Sequence, residues 1–401
     1  MNAHTSVPDN AVKPDRLLLA VLIIITALGP ASTQVFLPTL PAVQAAFGAS
    51  PGIAQLGLSL PMMAMAFSDL GYGPWSDRVG RRPVLLAGLI AFIAGNLVCL
   101  FAPNIWILVA GRILQDCGGS VGIVLSRAIA LDVYGKEKAG SVISMTLMAM
   151  AVGPMLGPLA GGLISDAFGW RAIFIFMGAL GVVIVVFVLF RFTETHRPRS
   201  DQATTGSIWR PFLTLLRSPT FNAFAWHSAF VWGMFMAFIG AAPYVMQNVF
   251  GKAPTEFGLW LIPAAFGYIG GNGLSAAISA KLGPERMVWI GAMVVLASVM
   301  LLTALMMLGF WTPLALFIPA SVAAFGAGIA IPNAQAEAVD AVEDASGSAS
   351  GLIGFMLMIM GAAAAQLVGM LQGGTPYPMA WVMLGLAAMA MAALMIPRSK
   401  R

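Results

Sequence analysis

The chain has 401 residues, of which 59% are hydrophobic and only 9% are charged. A soluble domain carries about 25% charged residues, so this chain cannot cover a water-facing surface. Its apolar runs are continuous and about 20 residues long, which is the length of a helix that crosses a bilayer. A membrane barrel would instead alternate apolar and polar residues along each strand. The composition therefore predicts an all-α membrane protein.

Twelve apolar segments are predicted to span the bilayer. They run over residues 17–38, 53–74, 83–102, 105–131, 140–164, 170–191, 221–243, 256–280, 286–309, 311–334, 347–371 and 377–396. The longest polar stretch, Thr193 to Pro219, follows the sixth segment. It divides the chain into a bundle over residues 17–191, a linker over 192–220 and a second bundle over 221–396. Two such halves are typical of secondary transporters, whose substrate site lies between them.

The basic residues lie mainly at the two ends of the chain and after the second, fourth, sixth and eighth segments. They include Lys13, Arg16, Arg78, Arg81, Arg82, Lys136, Lys138, Arg197, Arg199, Lys281, Arg286, Arg398, Lys400 and Arg401. These positions share one side of the membrane, and cytoplasmic connections are the ones enriched in Lys and Arg. We therefore expect a multi-pass protein of the bacterial inner membrane with both termini in the cytoplasm. The net charge of +5 then reflects topology, and no nucleic-acid partner is expected.

The connection after the second segment carries the first recognisable motif. It reads Gly73-Pro74-Trp75-Ser76-Asp77-Arg78-Val79-Gly80-Arg81-Arg82. This stretch resembles the signature loop of the major facilitator superfamily, with Trp75 in place of the usual Leu. Gly73 and Gly80 permit a tight turn and close helix approach, and Asp77 can accept hydrogen bonds from arginines and from a nearby helix N-terminus. We expect Gly73, Asp77, Arg78, Gly80, Arg81 and Arg82 to act as a latch between conformations.

The fifth segment carries a doubled Gly-Pro pattern. Its members are Gly153, Pro154, Gly157, Pro158, Gly161 and Gly162. The order resembles the G-P-x-x-G-P-x-x-G-G motif that is associated with antiporters of that superfamily. Small residues at a spacing of four also let any two membrane helices meet closely, which is the alternative interpretation.

The fourth segment contains charges inside an apolar run. Arg112 and Gln115 match the R-x-x-Q pattern of the superfamily. A buried arginine is costly unless it faces a cavity or a partner, so Arg112 and Gln115 are candidates for the substrate site. Asp116 follows Arg112 by four residues and shares its helix face. The pair can be a proton-dependent site or a permanent structural ion pair.

Short stretches elsewhere resemble the bicyclomycin/chloramphenicol-resistance (Bcr/CflA) group of drug exporters. They are residues 36–41, 169–174, 194–195, 332–333 and 346–350. The resemblance runs from the first segment to the eleventh. It implies the major facilitator fold of two pseudo-symmetric six-helix bundles. It also implies export of amphipathic drugs by alternating access, with the proton as the coupling ion and no other cofactor.

One departure from the family pattern concerns the proton carrier. Family members usually have an aspartate in the first segment, where this chain has Gln34, which is itself a candidate for lining the substrate cavity. Asp69 stands where Gln is common in the second segment, and Asp116 where Gly or Ala is common in the fourth. A proton antiporter needs an embedded carboxyl group whose proton affinity changes with drug occupancy. Asp69 and Asp116 are therefore the candidate carriers, although Asp69 can instead belong to the charge cluster after the second segment.

Two polar residues of the second half are the remaining candidates for the functional site. His227 can shuttle protons and Asn333 can line a cavity, or both can be interhelical hydrogen-bonding residues. A symporter or facilitator of a small metabolite stays open as an alternative because the first segment has no acid. A membrane enzyme is disfavoured, since no H-E-x-x-H sequence and no P-loop occurs, and no metal site is expected. We expect a small-molecule substrate and a monomer in the lipid bilayer.

Overall fold

The computed structural model describes residues 16–195, 214–342 and 346–397, and helices dominate these ranges. Within these ranges, ten helices are long and apolar enough to cross a membrane. They are Leu18–Phe47, Pro51–Val79, Arg81–Leu100, Ile105–Gly135, Ala172–Arg191, Pro219–Val249, Pro254–Leu282, Pro284–Met307, Pro313–Asp340 and Ser348–Leu371. The helix that continues from Gly135 to Phe168 supplies the fifth span, and the shorter apolar helix Tyr377–Ala393 supplies the twelfth. The prediction of an all-α fold with twelve spans is confirmed for the described part of the chain.

The connections between spans are shorter than the sequence predicted. The helix of the second span continues to Val79, and only Gly80, with φ of 108°, separates it from the third span. Most of the predicted latch loop is therefore helical, and the expected tight turn at Gly73 is wrong. Gly73 lies inside the helix, and a Cβ atom built on it would meet no described atom within 4 Å. Gly283, with φ of 85°, makes the same kind of turn between the eighth and ninth spans.

We call the membrane face with the Gly80 and Gly283 turns the latch face, and the other face the far face. The first span breaks near the far face, where Leu37–Thr39 forms one turn of 3-10 helix before the helix resumes at Leu40. Pro38 and Pro41 lack the N–H groups of a continuous helix, which explains the break. The seventh span ends there in a π-helical turn, Val245–Val249, which follows Pro243.

Glycines bring the fifth span against helices of both halves. A Cβ atom on Gly157 would lie 2.6 Å from the Cβ of Gln34, and one on Gly161 would collide with the carbonyl oxygen of Val35. On another face of the helix, a Cβ atom on Gly162 would lie 2.7 Å from the carbonyl oxygen of Pro254, in the eighth span. The doubled motif thus packs against the first span and against the opposite half at once.

This packing predicts that two glycines of the same motif differ in how well they tolerate substitution by alanine. Gly161→Ala should lower the melting temperature of the purified protein, because overpacking a tight contact costs about 1–3 kcal/mol. Gly153→Ala is the matched control, since a Cβ atom there meets no atom of the described residues within 4 Å. Thermal unfolding in detergent measures both variants, and equal melting temperatures would contradict the proposed contact.

Candidate transport cavity and its gate

A cavity of about 440 Å³ lies between the two halves. Pockets that bind drug-sized molecules fall in this size range. Its walls come from the first, second and fourth spans on one side and from the seventh and eleventh spans on the other. It extends from Gln34 near mid-span to Ser350, which lies one turn after the start of the helix at Ser346. The cavity therefore reaches towards the latch face.

The far face is closed by hydrogen bonds between the halves. The Gln247 side-chain amide donates to the carbonyl oxygen of Pro38 at 2.9 Å. The Gln366 amide donates to the carbonyl oxygen of Gly52 at 2.9 Å, and its oxygen accepts from the Ser59 hydroxyl at 2.7 Å. These bonds join the first span to the seventh and the second to the eleventh. Together with the extent of the cavity, they describe a conformation that is open towards the latch face.

A third contact across the far face caps a helix. The eighth span begins at Pro254, and its N-cap residue, Ala253, has no side-chain acceptor for the free N–H groups of the first turn. Asp166, from the end of the fifth span, accepts from the backbone N–H of Thr255 at 3.0 Å and also from its hydroxyl group. A carboxylate at a helix N-terminus is favourable, so one half supplies the cap of a helix in the other.

Arg112 and Asp116 form a fully buried network inside the first half. Both side chains have 0% exposure, and the guanidinium contacts the carboxylate at 3.3 Å. Asp116 also accepts from the hydroxyl groups of Ser32 and Thr33, each at 2.8 Å. The remaining donors of Arg112 reach the carbonyl oxygen of Gly57 at 3.2 Å and the side-chain oxygen of Gln115. Each charge is thus paired and hydrogen-bonded, as a charge in low dielectric requires.

Asp69 is placed differently, because it lies on the cavity wall. Asp69 is only partly buried, and its Oδ1 atom has no hydrogen-bond partner among the described residues. Arg127 of the fourth span lies on the same wall. Arg127 was not among the residues predicted from the sequence, although its position as a basic residue inside the predicted fourth segment was a signal for it. Of the two candidate carriers, only Asp69 contacts the cavity directly, whereas Thr33 separates Asp116 from it.

The other predicted site residues divide between cavity wall and helix packing. Gln34 lies on the wall, and its Oε1 atom has no described partner. Gln115 is buried and donates to Asn96 at 2.8 Å. Asn333 accepts from Ser279 at 2.7 Å, which joins the eighth and tenth spans. Buried His227 contacts the carbonyl oxygen of Ala390 through Nδ1 at 2.9 Å, next to the twelfth span.

The latch residues bind partners within the first half. Arg81 contacts Asp77 at 2.5 Å and Asp132, at the end of the fourth span, at 3.2 Å. The N-terminus of the third span is capped by Glu194, which accepts from the backbone N–H groups of Arg81 and Arg82 at 2.8 and 3.0 Å. The expectation that Asp77 would bind a helix N-terminus is therefore corrected, because Glu194 occupies that position. Arg82 also donates to the carbonyl oxygen of Leu189 at 2.8 Å, whereas Arg78 is exposed.

Comparison with known families decides the class of protein. The model of the Major Facilitator Superfamily matches residues 22–365. The chain belongs to the major facilitator superfamily. It is 28% identical to a bicyclomycin resistance protein homolog of Haemophilus influenzae, over 93% of this chain and 94% of the relative. It is 26% identical to a chloramphenicol resistance protein of Pseudomonas aeruginosa, with 96% and 90% covered. The resemblance to the Bcr/CflA branch is thereby confirmed.

Solved structures of this superfamily share the fold. A bacterial homologue of the human lysosomal transporter Spinster, in an inward-facing and unoccupied conformation, has a TM-score of 0.76 at 16% identity, with 95% of both chains covered. The xylose transporter XylE of Escherichia coli, in a partially occluded inward-open conformation, has a TM-score of 0.71 at 13% identity, with 94% of this chain and 95% of that chain covered. The chain is thus a multi-pass major facilitator transporter with the fold of its superfamily.

The buried Arg112–Asp116 network predicts that substitutions at these two residues lower the stability of the fold rather than alter proton coupling. Arg112→Met or Asp116→Leu should cost about 3–5 kcal/mol, because each leaves an uncompensated buried charge. The double variant should recover much of the loss, since it removes both charges together. Melting temperatures of the three purified variants test this. If Asp116→Leu melts like the wild-type protein, the structural interpretation of the pair is wrong.

If the Asp166 cap holds the far face closed, its removal should change the fraction of molecules that are closed at this face. Asp166→Ala removes the acceptor of the Thr255 N–H and hydroxyl groups, so it should increase the population that is open at this face. Asp166→Asn is the matched control because its side-chain oxygen still accepts. Spin labels at Ala46→Cys and Ala253→Cys, in a background without Cys99 and Cys117, measure the separation of the halves. Identical distance distributions for all three proteins would refute the gating role.

Proposed function

We propose that this transporter is a proton-coupled exporter of amphipathic drugs that works by alternating access between the two halves. The observation that carries this proposal is the position of Asp69, an acid on the wall of a cavity of drug size, with one oxygen that has no hydrogen-bond partner among the described residues. The antiporter-like glycine motif at the contact between the halves supports antiport. The relatives named for bicyclomycin and chloramphenicol resistance support a drug as the substrate.

In the proposed cycle, the latch face is the cytoplasmic face and both termini lie in the cytoplasm. Asp69 first releases its proton to the cytoplasm, and drug then binds in the cavity while Asp69 is ionised. The bonds of the far face then break, the halves close at the latch face, and drug leaves on the other side. Asp69 then takes up a proton from that side, and the protonated transporter returns to the conformation that is open at the latch face. The proton is thus the coupling ion, and no enzymatic step is involved.

A single chain provides both walls of the proposed cavity, so a monomer is sufficient for this activity. The Arg112–Asp116 pair has a structural part in the proposal, because four donors already satisfy its carboxylate. Gln34 takes the place of the first-span acid of the family, and it shares the cavity with Asp69. The acid is therefore proposed to have moved from the first span to the second.

Transport of chloramphenicol by purified protein in liposomes tests the coupling role of Asp69. Asp69→Asn should abolish uptake driven by a proton gradient, while Asp69→Glu, which keeps a titratable group, should retain a measurable rate. Substrate addition should move protons in the direction opposite to the drug, as recorded by a dye inside the liposomes. Proton movement in the same direction would support the symporter alternative. Gradient-driven transport by Asp69→Asn at the wild-type rate would exclude Asp69 as the carrier.

If the coupling acid has moved from the position of Gln34 to that of Asp69, an acid returned to the first span should rescue transport in a variant without Asp69. Gln34→Asp in the Asp69→Asn background returns a carboxyl group to the same cavity, so it should restore part of the gradient-driven transport. Gln34→Asn in that background is the control, because it changes the side-chain length equally and adds no acid. No difference between these two double variants would show that an acid at the first span cannot replace Asp69.

A further inference from the structure

The cavity holds a fixed positive charge that the proposed coupling mechanism does not use. Arg127 lies on its wall, eight residues before Gly135 at the latch end of the fourth span. Asp69 lies ten residues before Val79 at the latch end of the second span. With a helix rise of about 1.5 Å per residue, the two groups lie at similar depth, about 12–15 Å from that end. Among the described residues of this wall, Asp69 and Arg127 carry all the charge.

The two charges differ in what they can do. A carboxyl group can gain a proton, whereas a guanidinium keeps its charge in proteins. The cavity wall is therefore neutral when Asp69 is ionised and carries one positive charge when Asp69 is protonated. Arg127 is exposed and interacts electrostatically with Asp69, but no described hydrogen bond or ion pair occupies its donors. Its five donors form a planar fork that matches a carboxylate or another planar acceptor.

The rest of the wall suits the apolar body of a ligand. Met62, Met65 and Met236 face the cavity together with Trp232 and Phe355. Methionine side chains adapt to apolar surfaces of different shape, and aromatic rings offer flat contact area. A bound amphipath can thus place its body against this surface and its acceptor group at Arg127.

We propose that Arg127 is a specificity-determining residue: it binds the carboxylate or similar planar acceptor of a neutral or zwitterionic amphipath and disfavours substrates whose only charge is positive. This inference rests on the proposed function and names the substrate class of the same cavity. A zwitterion satisfies both wall charges at once, with its cationic group near Asp69. A simple cation has one partner and one repelling neighbour, and it loses that partner when Asp69 is protonated.

A matched pair of fluorescent ligands tests the proposal. Rhodamine B is a zwitterion with a free carboxylate, and its ethyl ester is a cation with the same aromatic body. Binding of each to the purified protein in detergent is measured by fluorescence anisotropy. The wild-type protein should bind rhodamine B about tenfold more tightly than the ester, which is the difference expected for one hydrogen-bonded charge pair.

Two variants assign that difference to Arg127. Arg127→Gln should weaken rhodamine B binding about tenfold and strengthen ester binding, because both the donor fork and the repelling charge are lost. Arg127→Lys keeps the charge without the planar fork, so it should still disfavour the ester while binding rhodamine B less tightly than the wild-type protein. Equal binding of the two ligands by the wild-type protein, or failure of both to bind, overturns the proposal. A uniform loss for both ligands in Arg127→Gln also overturns it, since a merely structural role predicts that result.

This experiment is independent of proton coupling. Equilibrium binding needs no gradient, so it reports on Arg127 even if Asp69→Asn proves to be fully coupled. Conversely, chloramphenicol transport that depends on Asp69 would stand if the rhodamine preference were absent. The failure of the specificity proposal and the failure of the proposed function therefore give different results.

Discussion

A charge inside an apolar helical bundle must be paired or must face water, and this constraint separates the two charged sites of the protein. Arg112 and Asp116 are completely buried and pair with each other, and hydroxyl, amide and carbonyl groups satisfy their remaining hydrogen-bonding capacity. Asp69 and Arg127 instead line the cavity between the halves. The Arg112–Asp116 pair holds the first, second and fourth spans together, whereas Asp69 and Arg127 lie where a proton or a ligand in the cavity can reach them.

The lipid environment also determines how the two halves of the protein associate and separate. Helices in lipid gain little from apolar contact with each other, so close approach at glycines and a few hydrogen bonds decide their association. At the far face, the fifth span provides both: Gly162 allows contact with Pro254, and Asp166 caps the helix that begins there. A small number of such bonds closes this face, which is compatible with a gate that opens in each cycle.

Sequence reasoning succeeded where spacing alone fixes geometry. Arg112 and Asp116 are four residues apart, so a helix places them on one face, and the structure pairs them. It failed where the outcome depended on residues distant in the chain. Glu194, not Asp77, caps the third span, because the end of the sixth span folds back beside Gly80. Arg127 was overlooked because it lies near the end of its segment, where basic residues usually report only topology.

The amino-acid sequence by itself determined the helical membrane fold, the number of spans and the family, because a bilayer leaves apolar helices few alternatives and the motifs are local. It also determined which embedded residues carry charge. Only the tertiary structure decided which charges share the cavity: Asp69 and Arg127 lie on its wall, while Arg112, Asp116 and His227 are enclosed in packing. The physical reason is that burial of a side chain depends on the rotation of each helix against neighbours from elsewhere in the chain, and span composition does not encode that rotation.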